Sequence, residues 1–163
     1  MRLNLEWLEK YFRVEDIDRV VLSDPQRQIL DNGGHILFAL HGSAVVGTVA
    51  LKHDGRGTFE LTKMAVTSGQ QGRGLGRALL AAAIGRFAAV GGKKLYLETH
   101  SSLAPAIHLY ASAGFVHTPP PKASDYARAD TYMVYDPNGT ALKNKEKQPD
   151  LSQPEGFPDN SAD

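Results

Sequence analysis

The sequence predicts an α/β protein in which helices flank a mixed, predominantly antiparallel sheet. Short turns join the first three predicted strands, as in antiparallel hairpins. A long apolar helix pattern follows at residues 74–90. The patterns after this helix are strand, helix, strand and strand, and a helix between two strands allows them to pair in parallel. Together these observations favour a single mixed sheet with helices packed on it.

The chain begins with helical patterns. Apolar residues at helical spacing predict short helices over residues 3–12 and 15–22. Ser23-Asp24-Pro25 has the residue types of a helix N-terminus. It predicts a third helical segment that runs to Leu30 and is ended by Asn32-Gly33-Gly34.

Runs of apolar and β-branched residues between turn residues predict the strands. His41-Gly42-Ser43 is typical of a hairpin turn, and Asp54-Gly55-Arg56-Gly57 of a second turn. The last helix is expected to end at Gly114. The predicted strands are residues 35–40, 44–52, 58–66, 94–99, 115–118 and 131–135, and the later helices are residues 74–90 and 102–113.

Length and composition bound the class of protein. The chain has 163 residues and a hydrophobic fraction of 42%, which fits one domain with a sizeable core. We expect this domain to span residues 1–136. Residues 137–163 combine proline and charge with few apolar side chains, so we expect a disordered tail.

Composition also disfavours several functions. Cysteine is absent, which excludes disulfides, a thiolate nucleophile and cysteine metal sites. The histidines show no metal-binding spacing, so no metal is expected. The net charge is zero, which argues against a nucleic-acid partner. Since there is neither a membrane-length apolar run nor a secretory signal, we expect a cytoplasmic protein without a membrane partner. The sequence leaves open whether the protein is a monomer or a homodimer.

The stretch Gln70-Gln71-Gly72-Arg73-Gly74-Leu75-Gly76-Arg77 connects a predicted strand to a predicted helix. Its backbone N–H groups would face an anion at the helix N-terminus. Its glycines allow close approach, and Arg73 and Arg77 add positive charge. The dinucleotide fingerprint does not fit, because a large residue occupies the place of its last glycine, and no Gly-Lys-Ser/Thr completes a P-loop. The stretch predicts a ligand that carries phosphate.

Five segments follow one another in the order and at the separations of a known family. They are Glu60-Leu61-Thr62-Lys63-Met64-Ala65-Val66, Gln71-Gly72-Arg73-Gly74-Leu75-Gly76, Leu97-Glu98-Thr99, Ala106-Ile107-His108-Leu109-Tyr110 and Gly114-Phe115. Together they resemble the GNAT superfamily of acetyl-CoA-dependent N-acetyltransferases, and the resemblance covers about residues 3–136. Ser124-Asp125-Tyr126-Ala127-Arg128 also resembles bacterial members. The resemblance implies the acyl-CoA N-acyltransferase-like fold, with a first strand from the N-terminal region and a sheet splayed between its fourth and fifth strands.

The resemblance implies acetyl-CoA as cosubstrate and no metal. Backbone N–H groups of the glycine loop would bind its pyrophosphate, and the end of the preceding strand would pair with its pantetheine arm. Leu103 stands where many members have asparagine, so that contact would be lost or supplied by Ser102. The implied cofactor-binding residues are Met64, Ala65, Val66, Gln71, Gly72, Arg73, Gly74, Leu75, Gly76, Arg77, Ser102 and Ala106.

In this family an amine attacks the thioester directly, which is helped by a base. An amine with a pKa of about 10.4 is protonated at neutral pH. Glu60 is the leading candidate, since strand alternation would place it on one face with Met64 and Val66. Glu98, which would share a face with His100, is the second candidate, and a water chain is the third.

The departing thiolate leaves more easily when it is protonated. Tyr110 stands where the family places its acid, four residues before Gly114-Phe115. Helical spacing places Tyr110 on the same face as Ala106. We therefore expect Tyr110 and Glu60 to be the catalytic pair.

The expected function is transfer of the acetyl group of acetyl-CoA to a primary amine, in a small molecule or a peptide, within a ternary complex. A non-catalytic module that binds or senses acetyl-CoA or another acyl-CoA is the alternative. The sequence leaves open whether the acyl donor is larger than acetyl.

Overall fold

A computed structural model describes residues 15–138 of the chain. The helix predicted over residues 3–12 and nearly all of the tail predicted after residue 136 lie outside the described residues. Within them the predicted strands and helices are present, with small differences at their ends. The third helical segment is a π-helical turn, Gln26–Leu30, and the Asp24 carboxylate accepts a hydrogen bond from the Arg27 backbone N–H at its start.

The described residues form six strands and three α-helices. The strands are β1 (His35–His41), β2 (Ala44–His53), β3 (Thr58–Val66), β4 (Lys94–Thr99), β5 (Phe115–His117) and β6 (Thr131–Tyr135). The helices are α1 (Asp16–Ser23), α2 (Leu75–Ala89) and α3 (Ala104–Ser112), and a 3-10 turn spans Ser68–Gln70.

The strands form one sheet in the order β1-β2-β3-β4-β6-β5. All neighbouring pairs are antiparallel except β3 and β4, which the crossover helix α2 connects in parallel. The predicted fold class, a mixed and predominantly antiparallel sheet flanked by helices, is confirmed. The N-terminal strand implied by the family resemblance is not among the described residues.

The two faces of the sheet are covered differently. On the α2 face, α2 packs its buried side chains against those of β2, β3 and β4. On the α1 face, Val21 of α1 and Ile29 of the π-helical turn pack on Ala50 and Ile36. The buried residues of the α2 face are Val49, Leu51, Phe59, Leu61, Leu79, Leu80, Ala83, Phe87, Leu95, Leu97, Phe115 and Met133.

A bulge interrupts β3. The register between β2 and β3 shifts after the pair Ala50–Thr62 and resumes at Thr48–Ala65, so that one residue of β2 faces two of β3. Lys63 lies at this point and has a φ of 52°, in the left-handed region. For a residue with a Cβ this conformation costs about 1–2 kcal/mol, so other contacts must hold it.

The bulge corrects one prediction about the site. Strand alternation was expected to place Glu60 on the same face as Met64 and Val66, and this is wrong. The extra residue reverses the alternation: Glu60 pairs with Lys52 on the α1 face, whereas Met64 and Val66 pack against the core of the α2 face.

The sheet is splayed between β3 and β4. The two strands pair only from Thr58 to Glu60 on β3 and from Lys94 to Tyr96 on β4. Both strands then continue, to Val66 and Thr99, without pairing with each other. The splay implied by the family resemblance is therefore present, between the third and fourth strands of the described residues.

Candidate active site

A cleft of about 190 Å3 opens where β3 and β4 separate, and it is lined from both faces of the sheet. We divide it into two halves by the side chains that line them. The apolar half is formed by Met64, Val66, Leu103, Ala106, Leu109 and Tyr110. The polar half is formed by Asp18, Glu60, Lys63, Glu98, Tyr126 and Arg128.

The apolar half lies between the end of β3 and helix α3. The bulge turns Met64 and Val66 toward α3, and Pro105 lies in the first turn of that helix. Ala106 and Tyr110 are one turn apart on it and both line the cleft, as helical spacing predicted. Beyond Glu60, the edge of β3 on the side of β4 has no partner strand in residues 15–138.

The glycine loop adjoins this half. A Cβ built on Gly76 would lie 3.5 Å from Met64 Cε and 3.4 Å from Leu109 Cδ2, two side chains that line the cleft. Gly72 and Gly74 have φ values of 76° and 81°, which glycine adopts without strain. The loop conformation therefore depends on glycine, at the end of the cleft where α2 begins.

The amides of this loop are available to a ligand. From Gly72 to Arg77, no backbone N–H donates a hydrogen bond to an acceptor within residues 15–138, and the first such bond comes from Ala78 to Gly74. The Gln71 N–H bonds weakly within its own turn, at 3.4 Å from Ser68 O. The Gln71 side chain donates to Val66 O at 3.0 Å and so fixes the loop to the end of β3. Unsatisfied amides at a helix N-terminus attract an anion.

Tyr110 lines the apolar half of the cleft. Its hydroxyl forms no hydrogen bond with any residue that the structure describes, and the ring packs on Phe115 at 6.0 Å between centroids. Burial raises the pKa of Tyr110 to about 12. The phenol is therefore protonated at neutral pH and can donate a hydrogen bond to a group bound in the cleft.

Glu60 is, with Asp18, one of two buried carboxylates that line the cleft, and 5% of its surface is exposed. Its Oε2 lies 3.7 Å from Lys52 Nζ, which also lies 3.5 Å from Asp54. Burial raises the pKa of Glu60, and the charge of Lys52 offsets only part of this effect. Glu60 is thus a stronger base than an exposed glutamate and lies at the point where β3 and β4 part.

Glu98 and His100 line the polar half as well. The Ser124 hydroxyl donates a hydrogen bond to Glu98 Oε2, so Glu98 holds the segment before β6. His100 Nδ1 lies 2.7 Å from the Ser102 hydroxyl. Ser102 is exposed and does not line the cleft, whereas Leu103, which replaces the family's asparagine, does.

An ion cluster closes the polar half. Asp18 is fully buried, and its Oδ1 accepts from Lys63 Nζ at 2.9 Å. Arg128 binds the same carboxylate with both Nη atoms, at 2.7 and 2.9 Å, and also contacts Glu15 at 3.2 Å. Lys63 Nζ donates in addition to the Tyr126 hydroxyl at 3.0 Å. The cluster thus connects α1, the bulge and the segment before β6, and it holds Lys63 in its left-handed conformation.

Hydrogen bonding decides the charge of this cluster. Burial alone would raise the pKa of Asp18, but hydrogen bonds from Arg128 and Lys63 outweigh it and the pKa is lowered. Burial likewise opposes the charge of Arg128, and its bonds to Asp18 raise its pKa. Both shifts favour the charged forms of Asp18 and Arg128, so this pair keeps its opposite charges at neutral pH.

Sequence reasoning missed the roles of Asp18, Lys63, Tyr126 and Arg128, although signals for them exist. Helical spacing puts Asp18 on the same face as the buried Val21 and Leu22. The apolar positions of β3 change from odd to even numbers between Leu61 and Met64, which is the trace of the bulge at Lys63. Tyr126 and Arg128 lie in the segment whose resemblance to bacterial members carried no assigned role.

Two features are absent from residues 15–138. No helix in this part of the chain is long and apolar enough to cross a membrane. No group of three or more His, Asp or Glu side chains there is arranged to hold a metal ion.

Comparisons with known proteins place the chain in a family. A profile of the acetyltransferase (GNAT) family matches residues 2–115, more than half of the chain. No curated protein matches the sequence.

Solved structures share the fold at low sequence identity. An acetyltransferase of the GNAT family from Staphylococcus aureus Mu50 superposes with a TM-score of 0.75 at 20% identity, over 83% of this chain and 89% of that one. A Bacillus subtilis acetyltransferase in complex with CoA gives 0.61 at 19% identity, over 74% and 85%. PaiA N-acetyltransferase from Thermoplasma acidophilum, in complex with coenzyme A, gives 0.63 at 16% identity, over 82% and 86%. With the match to the family profile, the conclusion is that this chain belongs to the GNAT family of acetyltransferases.

Proposed function

We propose that the protein transfers the acetyl group of acetyl-CoA to a primary amine while both substrates are bound. The observation that carries this proposal is the gap between β3 and β4, where an apolar half and a polar half of one cleft meet. A thioester arm suits the first half, and a cationic amine suits the second. A buried carboxylate, Glu60, lies in the cleft at the start of that gap.

The apolar half and the glycine loop fit coenzyme A. The free amides from Gly72 to Arg77 suit its pyrophosphate, with Arg73 and Arg77 as cationic helpers. The unpaired edge of β3 at Met64–Val66 suits the amide-bearing pantetheine arm, which can add to a sheet as a strand does. Ala106 leaves room for this arm beside α3. The contact made by the family's asparagine is absent here, because Leu103 cannot make it and the Ser102 hydroxyl is bonded to His100.

The polar half supplies the base. At pH 7 removing the proton from an amine of ordinary pKa costs about 4–5 kcal/mol. In the proposed step the ammonium first gives a proton to Glu60, directly or through water. The free amine nitrogen then forms a bond to the thioester carbonyl carbon, and the carbon–sulfur bond breaks with its electron pair on sulfur. The second proton of the nitrogen passes to solvent, which also protonates the departing thiolate. The raised pKa of Glu60 brings this carboxylate nearer to the pH at which a general base is most effective.

Tyr110 stabilises the departing thiolate. A coenzyme A thiol has a pKa of about 8.5, so complete proton transfer from a phenol at about 12 is uphill by about 5 kcal/mol. We therefore propose that Tyr110 donates a hydrogen bond to the sulfur and that solvent completes the protonation.

The test combines a binding and a turnover measurement. We expect calorimetry at low ionic strength to detect coenzyme A binding, and a thiol assay with acetyl-CoA to detect thiol release that depends on an added amine. Binding without thiol release from any amine of a broad panel would contradict transfer and support a sensing module. Absence of binding to folded protein would overturn both. Repeating the assay with longer acyl-CoA compounds shows which lengths of acyl chain the apolar half accepts.

A further inference from the structure

In the polar half the positive charges are paired with carboxylates, whereas not every carboxylate is paired with a cation. Both of its cations, Lys63 and Arg128, bind the buried Asp18, and Arg128 also contacts Glu15. Neither cation is therefore in excess. An anionic group on an acceptor would meet a neutral cluster, with little to attract it.

The carboxylates of the cleft are in excess. Glu60 has Lys52 at 3.7 Å, but Lys52 does not line the cleft and is shared with Asp54. Glu98 forms no ion pair with any Lys or Arg of residues 15–138, and its bond to the Ser124 hydroxyl uses only Oε2. Glu98 is therefore a carboxylate without a cation, in a site built for an amine.

A second cavity continues from the polar half. Its volume is about 360 Å3, and it shares Glu98, Tyr126 and Ala129 with the first cleft. Glu98 and Asp130 line it and no Lys or Arg does. The Asp130 carboxylate already accepts bonds from the Ser101 N–H and hydroxyl at 2.7 and 2.6 Å and from the Thr131 hydroxyl at 2.9 Å. Glu98, at the junction of the two cavities, has the greater capacity left for a ligand.

We propose that the acceptor carries a second positive charge, which Glu98 binds while the first amine lies at Glu60. The rest of such an acceptor would occupy the second cavity. The substrate class is a diamine or polyamine, and a carboxylate near the amine is disfavoured because no uncompensated cation lines either cavity within the described residues. This inference rests on the proposed function and makes Glu98 a residue that determines specificity.

The first test uses acceptors of one length that differ in the charge of the far end. We measure kcat/KM at saturating acetyl-CoA for cadaverine, pentylamine and the ω-amino acid of the same length. We expect cadaverine to exceed pentylamine about tenfold, the effect of one charge-assisted hydrogen bond in a half-buried site, and the amino acid to be the poorest. Added salt should reduce the preference, since it screens the second charge.

Two variants separate the charge of Glu98 from its structural bond. Glu98→Gln keeps a hydrogen-bonding partner for Ser124 but removes the charge, so we expect the ratio of cadaverine to pentylamine to fall toward one. Ser124→Ala removes the bond but keeps the charge, so the ratio should stay high. A ratio that survives in Glu98→Gln, or that is lost equally in Ser124→Ala, would overturn the role of Glu98.

Failure of this inference differs from failure of the proposed function. Equal kcat/KM for the three acceptors, or no reaction of these three while other amines release thiol, would overturn the inference and leave the acetyl transfer standing. No thiol release from any amine would overturn both.

Discussion

The two halves of the cleft are built by different means. The apolar half joins two continuous segments, the end of β3 at Val66 and the helix α3 that begins at Ala104, mainly through packing. The polar half joins residues far apart in the chain, such as Asp18 and Arg128, through charges and hydrogen bonds. The apolar half therefore depends on shape and backbone conformation, whereas the polar half depends on ionisation and so on pH.

One strand serves both halves because of the bulge at Lys63. Glu60 stands before it and faces the α1 side, and Met64 stands after it and faces the α2 side. A regular strand would put both on one face. The bulge is thus the point where the two halves are coupled, and Asp18 holds it from the polar side through Lys63.

The largest expected effect comes from removing the charge that holds the polar half. Asp18→Asn leaves Lys63 and Arg128 without their shared carboxylate, and breaking a buried ion pair in this way costs about 3–5 kcal/mol. We expect this loss in the free energy of unfolding measured with urea at neutral pH. Asp125→Asn is the matched control, since Asp125 and Lys122 are 62% and 74% exposed and 3.9 Å apart, and it should have little effect.

This prediction has a pH dependence of known sign. The pKa of Asp18 is lower in the folded protein than its ordinary value, so its stabilisation is complete above about pH 4 and is lost as pH falls through the folded-state pKa. The difference between wild type and Asp18→Asn should shrink over that acid range. A constant difference, or a loss below 1 kcal/mol at neutral pH, would contradict the assigned role of Asp18.

The second effect is catalytic. Glu60→Gln should lower kcat about 100-fold, a usual contribution of a general base, because the amine proton loses its acceptor. Coenzyme A affinity by calorimetry should change little, since Glu60 lies in the polar half. The wild-type rate should rise with pH through the raised pKa of Glu60, and the variant should lack this limb. A larger loss in Glu98→Gln than in Glu60→Gln, measured with a monoamine, would assign the base to Glu98.

The sequence predicted the apolar half of the cleft better than the polar half. The glycine loop, Tyr110 and the strand before the loop are continuous segments, so local patterns and the family resemblance identified them. The cluster around Asp18 could not be assembled, because its pairs join Asp18 to Lys63 and Arg128, which lie 45 and 110 positions away in the chain. Such pairs depend on tertiary packing, which periodicity does not report.

The predicted orientation of the Glu60 side chain was wrong for a different reason. Regular strand alternation requires an extended backbone at Lys63, and lysine seldom has a positive φ. The change in apolar positions after Leu61 was visible in the sequence, but a bulge and a buried polar position produce similar patterns. Register against β2 was needed to distinguish them.

The third prediction concerns the apolar half. Tyr110→Phe should lower kcat about tenfold, the value of one hydrogen bond to a charged group, and leave coenzyme A affinity within about twofold. Tyr135→Phe is the control, because Tyr135 also packs on Phe115, at 5.4 Å, but does not line the cleft. It should retain wild-type turnover. A fully active Tyr110→Phe variant would remove the hydroxyl from the mechanism.

The smallest expected effect tests whether the backbone conformation of the glycine loop determines the affinity for coenzyme A. Gly74→Ala adds a Cβ that meets nothing within 4 Å, so its cost is purely conformational: φ is 81°, and a left-handed alanine costs about 1 kcal/mol. If the loop relaxes to avoid this cost, its amides turn away from the pyrophosphate, and the coenzyme A dissociation constant should rise about fivefold, which is the same free energy. Gly69→Ala is the matched control, since its Cβ is equally unopposed but its φ is not positive. Equal affinities of the two variants for coenzyme A would mean that the amides from Gly72 to Arg77 do not hold the ligand. A loss of affinity in Gly74→Ala alone would show that backbone geometry determines binding in the apolar half, whereas charge determines the polar half.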